Sequence, residues 1–423
     1  MICHHVKGDA FRHLLQKREE SKGFCDKIYS MKNNSTKFLI LFSFIMMSYG
    51  FVLSLEQAIL YDMQELYGAN SEIMGFAVAA KSTAQFIVPI LAGFLADRYG
   101  KKPFLLIFVA VALTGCLVTG FSNTLWIYVT GSLLLGAGCS TVESMVVSLL
   151  PDIDAEHNTQ NGNFIQVIYS IGAGTSPLLV ATLIDKGVMT WRAGFWLFAL
   201  VYAGIFITAA IFKFPKSRLA ENNAAASKED RISVKSVFTL LFIVLFAMMV
   251  IYLIIENSFA FFIDSLSVQK GNATAGAWAL SFFWYGMGIS RFWVSRQKNP
   301  DEIKLVRISF ILSGIAVALV LVCKSAVLSV ILCLAAGIVF GPIWPTIVGY
   351  AGKKYSGSAS LVSLIVAGGA LGGIIGPAMT GAISERVSMV LAFAILALFA
   401  FAGAAITLLL KKKPETQNTE NTK

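Results

Sequence analysis

The chain has 423 residues, of which 56% are hydrophobic and 14% charged, with a mean hydropathy of +0.71 and a formal net charge of +10. A soluble core of this length holds far less apolar surface, so a soluble globular protein is excluded and a polytopic membrane protein is expected. The basic pI near 9.2 invites a nucleic-acid reading, which the placement of the bases along the chain argues against.

The first 37 residues are polar and hold no apolar stretch of the kind a cleavable signal peptide needs. They read as a cytoplasmic tail in which the "CHH" of residues 3 to 5 is unstructured rather than a metal site. Met31, followed by "KNNSTKFLILF", reads like a complete start, so residues 1 to 30 are an extension or a mobile tail.

A spanning helix needs about 20 apolar residues. On that measure the pattern predicts an all-α membrane protein with twelve spans, over 38–62, 72–97, 103–121, 125–149, 161–185, 191–213, 236–265, 272–294, 303–323, 325–350, 357–384 and 386–410. The one long polar break, 214–235, separates an N-terminal six-helix bundle (38–213) from a C-terminal one (236–410), and 411–423 form a second tail. Counting bases at span ends with the adjoining loops, 27 of the 34 Lys and Arg lie on the side of the two tails. Lys186, Arg192, Lys270, Lys324 and Arg386 lie on the other side, and Lys81 and Arg307 fall within spans. This asymmetry places both termini in the cytoplasm, in a plasma or bacterial inner membrane, and accounts for the basic pI.

Four ionisable residues interrupt the spans: Glu56 in span 1, Lys81 in span 2, Glu143 in span 4 and Glu256 in span 7. Each costs several kcal/mol unless paired or wet, which makes them functional markers. By the helical rise Lys81 lies roughly 12 Å deep and Glu56 roughly 9 Å deep on the adjacent span, so an ion pair between them is one reading and a solute-binding Lys81 another. Proton coupling requires a carboxylate that exchanges a proton near neutral pH, and Glu143 and Glu56 are the candidates. Asn163, Gln166, Glu256, Asn257, Trp284 and Trp344 offer the hydrogen bonds and ring faces that a sugar site uses. Trp126, Trp191 and Trp278, near span ends, fit an interfacial belt instead.

Two internal correspondences suggest a duplication. "GFLADRYGKK" after span 2 matches "GMGISRFWVSR" at the end of span 8, aligning Gly93 with Gly286 and Arg98 with Arg291 at an offset of 193. "GAGTSP" in span 5 matches "GGIIGP" in span 11, aligning Gly172 with Gly372 and Pro177 with Pro377 at an offset of 200. Two like-handed bundles of six are the architecture of an alternating-access transporter. The glycine-rich runs serve close helix packing or hinge motion.

"GFLADRYGKKP" resembles the cytoplasmic signature between helices 2 and 3 of the major facilitator superfamily, and the resemblance covers residues 38 to 410. It implies that Gly93, Asp97, Arg98, Gly100 and Lys101, with Arg291 in the second half, form a cytoplasmic gate in which Asp97 meets a helix end of the opposite bundle. The finer resemblance is to the fucose permease-like sugar:proton symporters. It rests on "GAGCSTVES" with Glu143, "NFIQVIYSIGAG" with Asn163, Gln166 and Gly172, "YLIIENSFAFFI" with Glu256, and "FGPIWPTIVGYAG" with Trp344 and Pro345. It implies uptake of a sugar with a proton by a monomer without cofactors. The asparagine usual after the span 4 glutamate is missing, and Ser290 replaces an acid in the second-half signature.

A drug:proton antiporter would show an arginine four residues before Gly136, where Ser132 stands, and an anion or carboxylate uniporter could use Lys81. A receptor or scaffold on the same fold lacks a soluble region large enough for signalling. Enzymatic chemistry has no support, since no P-loop, nucleophile motif or metal-ligand spacing occurs among the six cysteines and four histidines.

Overall fold

The computed structural model describes residues 35–153, 158–214, 239–271, 273–297, 301–355 and 359–410, with several residues within them, Asp97 and Asn163 included, described by backbone alone. The first half contains α1 (Ser35–Ala58), α2 (Leu60–Tyr67), α3 (Ser71–Tyr99), α4 (Lys101–Gly120), α5 (Leu125–Ile153), α6 (Asn158–Asp185) and α7 (Trp191–Ile211). The second contains α8 (Leu240–Gln269), α9 (Ala273–Ser295), α10 (Glu302–Val322), α11 (Ala326–Phe340), α12 (Ile343–Lys354), α13 (Ala359–Arg386) and α14 (Met389–Ile406).

Eleven stretches among the described residues are long and apolar enough to cross a membrane. The twelfth span is α9, 23 residues long, whose Gly, Ser and Thr content lowers its apolarity. The spans lie close to the predicted ones, with two breaks. Span 1 is interrupted at Ile59, and α2 carries it on to Tyr67, where Gly68 in the left-handed region (φ 60°) closes the helix. Span 10 is interrupted between α11 and α12 at Gly341 and Pro342, because proline has no N–H for the helical ladder. Polar residues at the helix starts cap orphan N–H groups: Asn70, Thr190, Thr239, Asp301, Ser325 and Ser388 each accept one. Large apolar side chains such as Phe94, Leu200 and Ile211 stand more than two-thirds exposed, as lipid-facing residues do.

The twofold repeat appears as matched backbone contacts. A Cβ on Gly172 of α6 would strike the Met47 carbonyl of α1, and one on Gly372 of α13 would strike the Val250 carbonyl of α8. Likewise Gly136 of α5 stands against Lys81 of α3, and Gly337 of α11 against Phe283 of α9. These counterparts are 200 to 203 residues apart, which upholds the span 5 and span 11 match and corrects the other. On that spacing the counterpart of Arg98 falls near residue 300, past the end of α9, whereas Arg291 lies about one turn inside that end.

Candidate functional site

A cavity of about 290 Å³ lies between the two halves. Helical spacing brings its lining side chains to one face of each helix: Ser140 and Glu143 of α5, Gln166 and Tyr169 of α6, and Leu253, Glu256 and Asn257 of α8, all polar but Leu253. Trp284 and Arg291 of α9, Trp344 of α12, Tyr49 of α1 and Gln85 of α3 add to the wall, while Gly369 and Gly373 of α13 keep it open. A Cβ on Gly373 would come within 2.8 Å of Asn257 Nδ2.

Among the described residues Glu143 is held by one neutral partner, since Gln166 Nε2 donates to its Oε1 at 2.9 Å. Tyr49, Tyr169 and Trp284 form a chain of edge-to-face rings with centroids 5.3 and 5.9 Å apart. Gln85 Nε2 donates to the Tyr49 hydroxyl at 3.2 Å, and Trp284 Nε1 crosses between the halves to Gln57 Oε1 at 3.1 Å. Arg291 Nη1 also crosses, to Ser170 Oγ at 3.4 Å, and its charge acts on both Glu143 and Glu256. Of the residues expected at the solute site, Gln166, Glu256, Asn257, Trp284 and Trp344 line this cavity together with Glu143. The side chain of Asn163 lies outside the described residues.

Lys81 and Glu56 stand apart from it. Lys81 Nζ bonds Glu56 Oε2, and the other carboxylate oxygen accepts from Ser132 Oγ at 2.6 Å. Both side chains are buried, and the small void beside them, about 10 Å³, holds no more than one water. Lys81 sits 5.9 Å from the ring centroid of Phe261, which also borders the central cavity. Lys81, read from the sequence as a possible solute ligand, is thus consumed by its partner, because a carboxylate one span away reaches it first.

The residues expected at the gate behave differently from one another. Gly100 joins α3 to α4 alone, at φ 96°, a region that favours glycine. Lys101 is buried and bonds Asp152 Oδ2 at 2.7 Å and the Ser148 carbonyl, which pins the start of α4 to the end of α5 in the same half. Arg98 is exposed and lies over the Tyr99 ring, and a Cβ on Gly93 would meet open space. The Asp97 side chain lies outside the described residues. Arg291, aligned with Arg98 by sequence, lines the cavity instead.

At the opposite ends of the spans the halves are sealed. Arg386 holds Glu72 in a two-point ion pair, with Nε to Oε2 at 3.1 Å, and the Ser71 N–H donates to Glu385 Oε2 at 3.1 Å. Behind them Gly75 and Gly381 let α3 and α13 touch backbone to backbone; a Cβ on Gly75 would lie 2.6 Å from the Pro377 carbonyl. Thr175 and Tyr285, 3.0 Å apart, join α6 to α9 on the same side of the cavity.

The sequence reading missed Tyr49, Gln85, Tyr169 and Ser170. A usable signal was present, because Lys81 and Gln85, and Gln166 and Ser170, are each one helical turn apart in apolar spans.

A family model described as the Major Facilitator Superfamily matches residues 38–365. The inner membrane transport protein YajR of Escherichia coli is 30% identical over 145 residues, 34% of this chain and 31% of that protein. The glucose/mannose transporter GlcP of Bacillus subtilis is 24% identical over 210 residues, 48% of this chain and 51% of that protein. The class H tetracycline resistance protein of Pasteurella multocida is 30% identical over 112 residues, 26% of this chain and 28% of that protein. The matched stretches thus span between about a quarter and a half of these relatives. The crystal structure of the human organic anion transporter MFSD10 (TETRAN) superposes with a TM-score of 0.65, covering 89% of this chain and 99% of that one at 15% identity, which shows a shared fold.

Proposed function

The chain belongs to the major facilitator superfamily, whose members are transporters rather than enzymes, and from that premise we propose that it accumulates a small polar solute by proton-coupled alternating access, in symport, with Glu143 carrying the proton. A sugar is the solute class favoured by the sequence resemblance. The observation that carries this reading is Glu143 on the wall of a cavity between the halves, bonded among the described residues only to a neutral amide. A carboxylate so placed can change its charge without stranding a fixed countercharge, and Gln166 can serve either form, donating to the anion or accepting from the acid. Gln166 and Asn257 would bind hydroxyls, and Trp284 and Trp344 would face the C–H surface of a sugar ring.

With the termini cytoplasmic, as the distribution of bases suggests, the sealed ends at Glu72 and Arg386 face outward and the cavity belongs to a cytoplasm-facing state. The transport cycle then opens that seal and closes the α3–α4 end, where Gly93, Asp97 and Arg98 stand. Asp97→Asn should leave the protein inserted and slow the cycle. No partner beyond solute, protons and bilayer is needed, and a monomer contains the whole cavity.

Uptake into proteoliposomes over a panel of sugars, with and without a pH gradient, tests the reading. Gradient-driven accumulation should occur in the wild type and vanish in Glu143→Gln, while solute exchange survives. Accumulation that persists in Glu143→Gln would move the proton to another group. Drug efflux and organic-anion transport, named for relatives and a structural neighbour, form the second reading; the cation Arg291 in the cavity favours the anion.

A further inference from the structure

Arg291 is the cation on the cavity wall, and it is poorly satisfied. A guanidinium has five N–H donors, and its hydrogen bond among the described residues is a long one, 3.4 Å to Ser170 Oγ. No described carboxylate lies within ion-pair distance of it, whereas Lys81, Lys101, Lys353 and Arg386 each have one. Glu143 and Glu256 flank it from opposite halves of the protein without closing on it. Beside it the buried Tyr252 hydroxyl stands between Glu256 and Arg291 and interacts with both. A planar fork of donors facing a space of sugar size, with no carboxylate paired to it among the described residues, is a seat for a carboxylate.

We infer that the solute is a small hydroxylated organic anion and that Arg291 binds its carboxylate, with Gln166 and Asn257 left for its hydroxyls. The cavity of about 290 Å³ suits a molecule of sugar size rather than a drug-sized one. This inference rests on the proton-coupled reading of the same cavity and sharpens it. The site sets one cation against two carboxylates, so a third carboxylate is poorly accommodated until a glutamate takes up a proton. Anion and proton therefore favour each other's binding, which is what symport requires. The other titratable groups around the two glutamates are Tyr49 on α1, Cys139 on α5, Tyr169 on α6 and Tyr252 on α8, residue types that ordinarily titrate above pH 8. α12 and α13 present no titratable side chain to the cavity.

The test uses the full chain, purified and in proteoliposomes, with matched probes: glucose and galactose against gluconate, galactonate and glucuronate. Binding is followed by thermal protection and by the fluorescence of Trp284 and Trp344. At least one sugar acid should bind where its parent sugar does not, with affinity rising about tenfold for each unit that pH falls while one proton is taken up. Arg291→Gln should weaken that binding about 100-fold. Arg291→Lys should be intermediate, because a point charge replaces the fork. Glu143→Gln should keep anion binding and flatten its pH dependence. If Arg291→Gln does not fold, the choice between acid and sugar and its pH dependence in the wild type still decide. Neutral sugars that bind and accumulate independently of Arg291, or no binding by any of the acids, would overturn the inference. Proton-driven sugar accumulation would do so while leaving the proposed function standing; Arg291-dependent anion transport indifferent to a pH gradient supports the seat and removes the proton coupling.

Discussion

The Glu56–Lys81 pair and the Glu143–Arg291–Glu256 group lie on either side of Phe261, in the same membrane-spanning body, and handle their charge in opposite ways. The pair is saturated: each charge has its counter-ion, Ser132 takes the spare carboxylate oxygen, and the adjacent void has room for a single water. The group is open, with Glu143 bonded to an amide and Arg291 to a distant hydroxyl, around a space large enough for a solute. A charge in a membrane is expensive wherever it sits, so its presence alone says little about function. What separates a structural charge from a working one is whether the protein or the cargo completes its bonding.

Removing one member of the closed pair should therefore do the most damage to the fold. Lys81→Ala leaves a buried carboxylate unpaired and should cost about 3 to 5 kcal/mol, read as a loss of folded yield and melting temperature. The double variant with Glu56→Ala should recover most of that loss; a double no better than the single would mean that the pairing is not what stabilises the site. In the open group the order reverses. Glu143→Gln keeps size and the Gln166 contact, so stability should change by less than about 1 kcal/mol while gradient-driven accumulation is lost. A melting temperature that fell with accumulation would make Glu143 structural and erase the contrast.

The exposed Glu72–Arg386 pair should matter less, since water screens it. Arg386→Gln should shift the population by less than tenfold toward the state open at that end, seen as a longer distance between spin labels at positions 73 and 387, and high salt should mimic it. The smallest effect is expected at Gly93, where nothing lies near an added Cβ. Gly93→Ala should leave stability within about 0.5 kcal/mol, and transport slowed at unchanged stability would show that Gly93 is needed for close approach in the other state.

Much of this was legible from sequence. Hydropathy located every span to within a few residues, and the single polar break separated two sets of six. The pairing of Lys81 with Glu56 was one of two readings, reached by counting depth along adjacent helices. The motif read as a gate lies where α3 meets α4, and there Lys101 holds its own half together through Asp152. The match of Arg98 to Arg291 failed because a short pattern of glycine and base recurs easily, whereas the packing glycines place the true repeat at 200 to 203 residues.

The sequence by itself determined that the chain is a twelve-span duplicated membrane protein, because apolar length, helical period and the placement of bases are local properties of the polymer. It also put Glu143 and Gln166 inside the membrane. Only the tertiary structure decided which charges meet. Lys81 and Glu143 look alike along the chain, each an isolated charge in an apolar helix, and their fates depend on how that helix is rotated and which neighbour it faces. Rotation is set by backbone contacts at Gly136, Gly172, Gly337 and Gly372, which bring helices far apart in sequence within reach of each other. Arg291 owes its place in the cavity to that packing, since its position along α9 says how deep it lies but not which way it points.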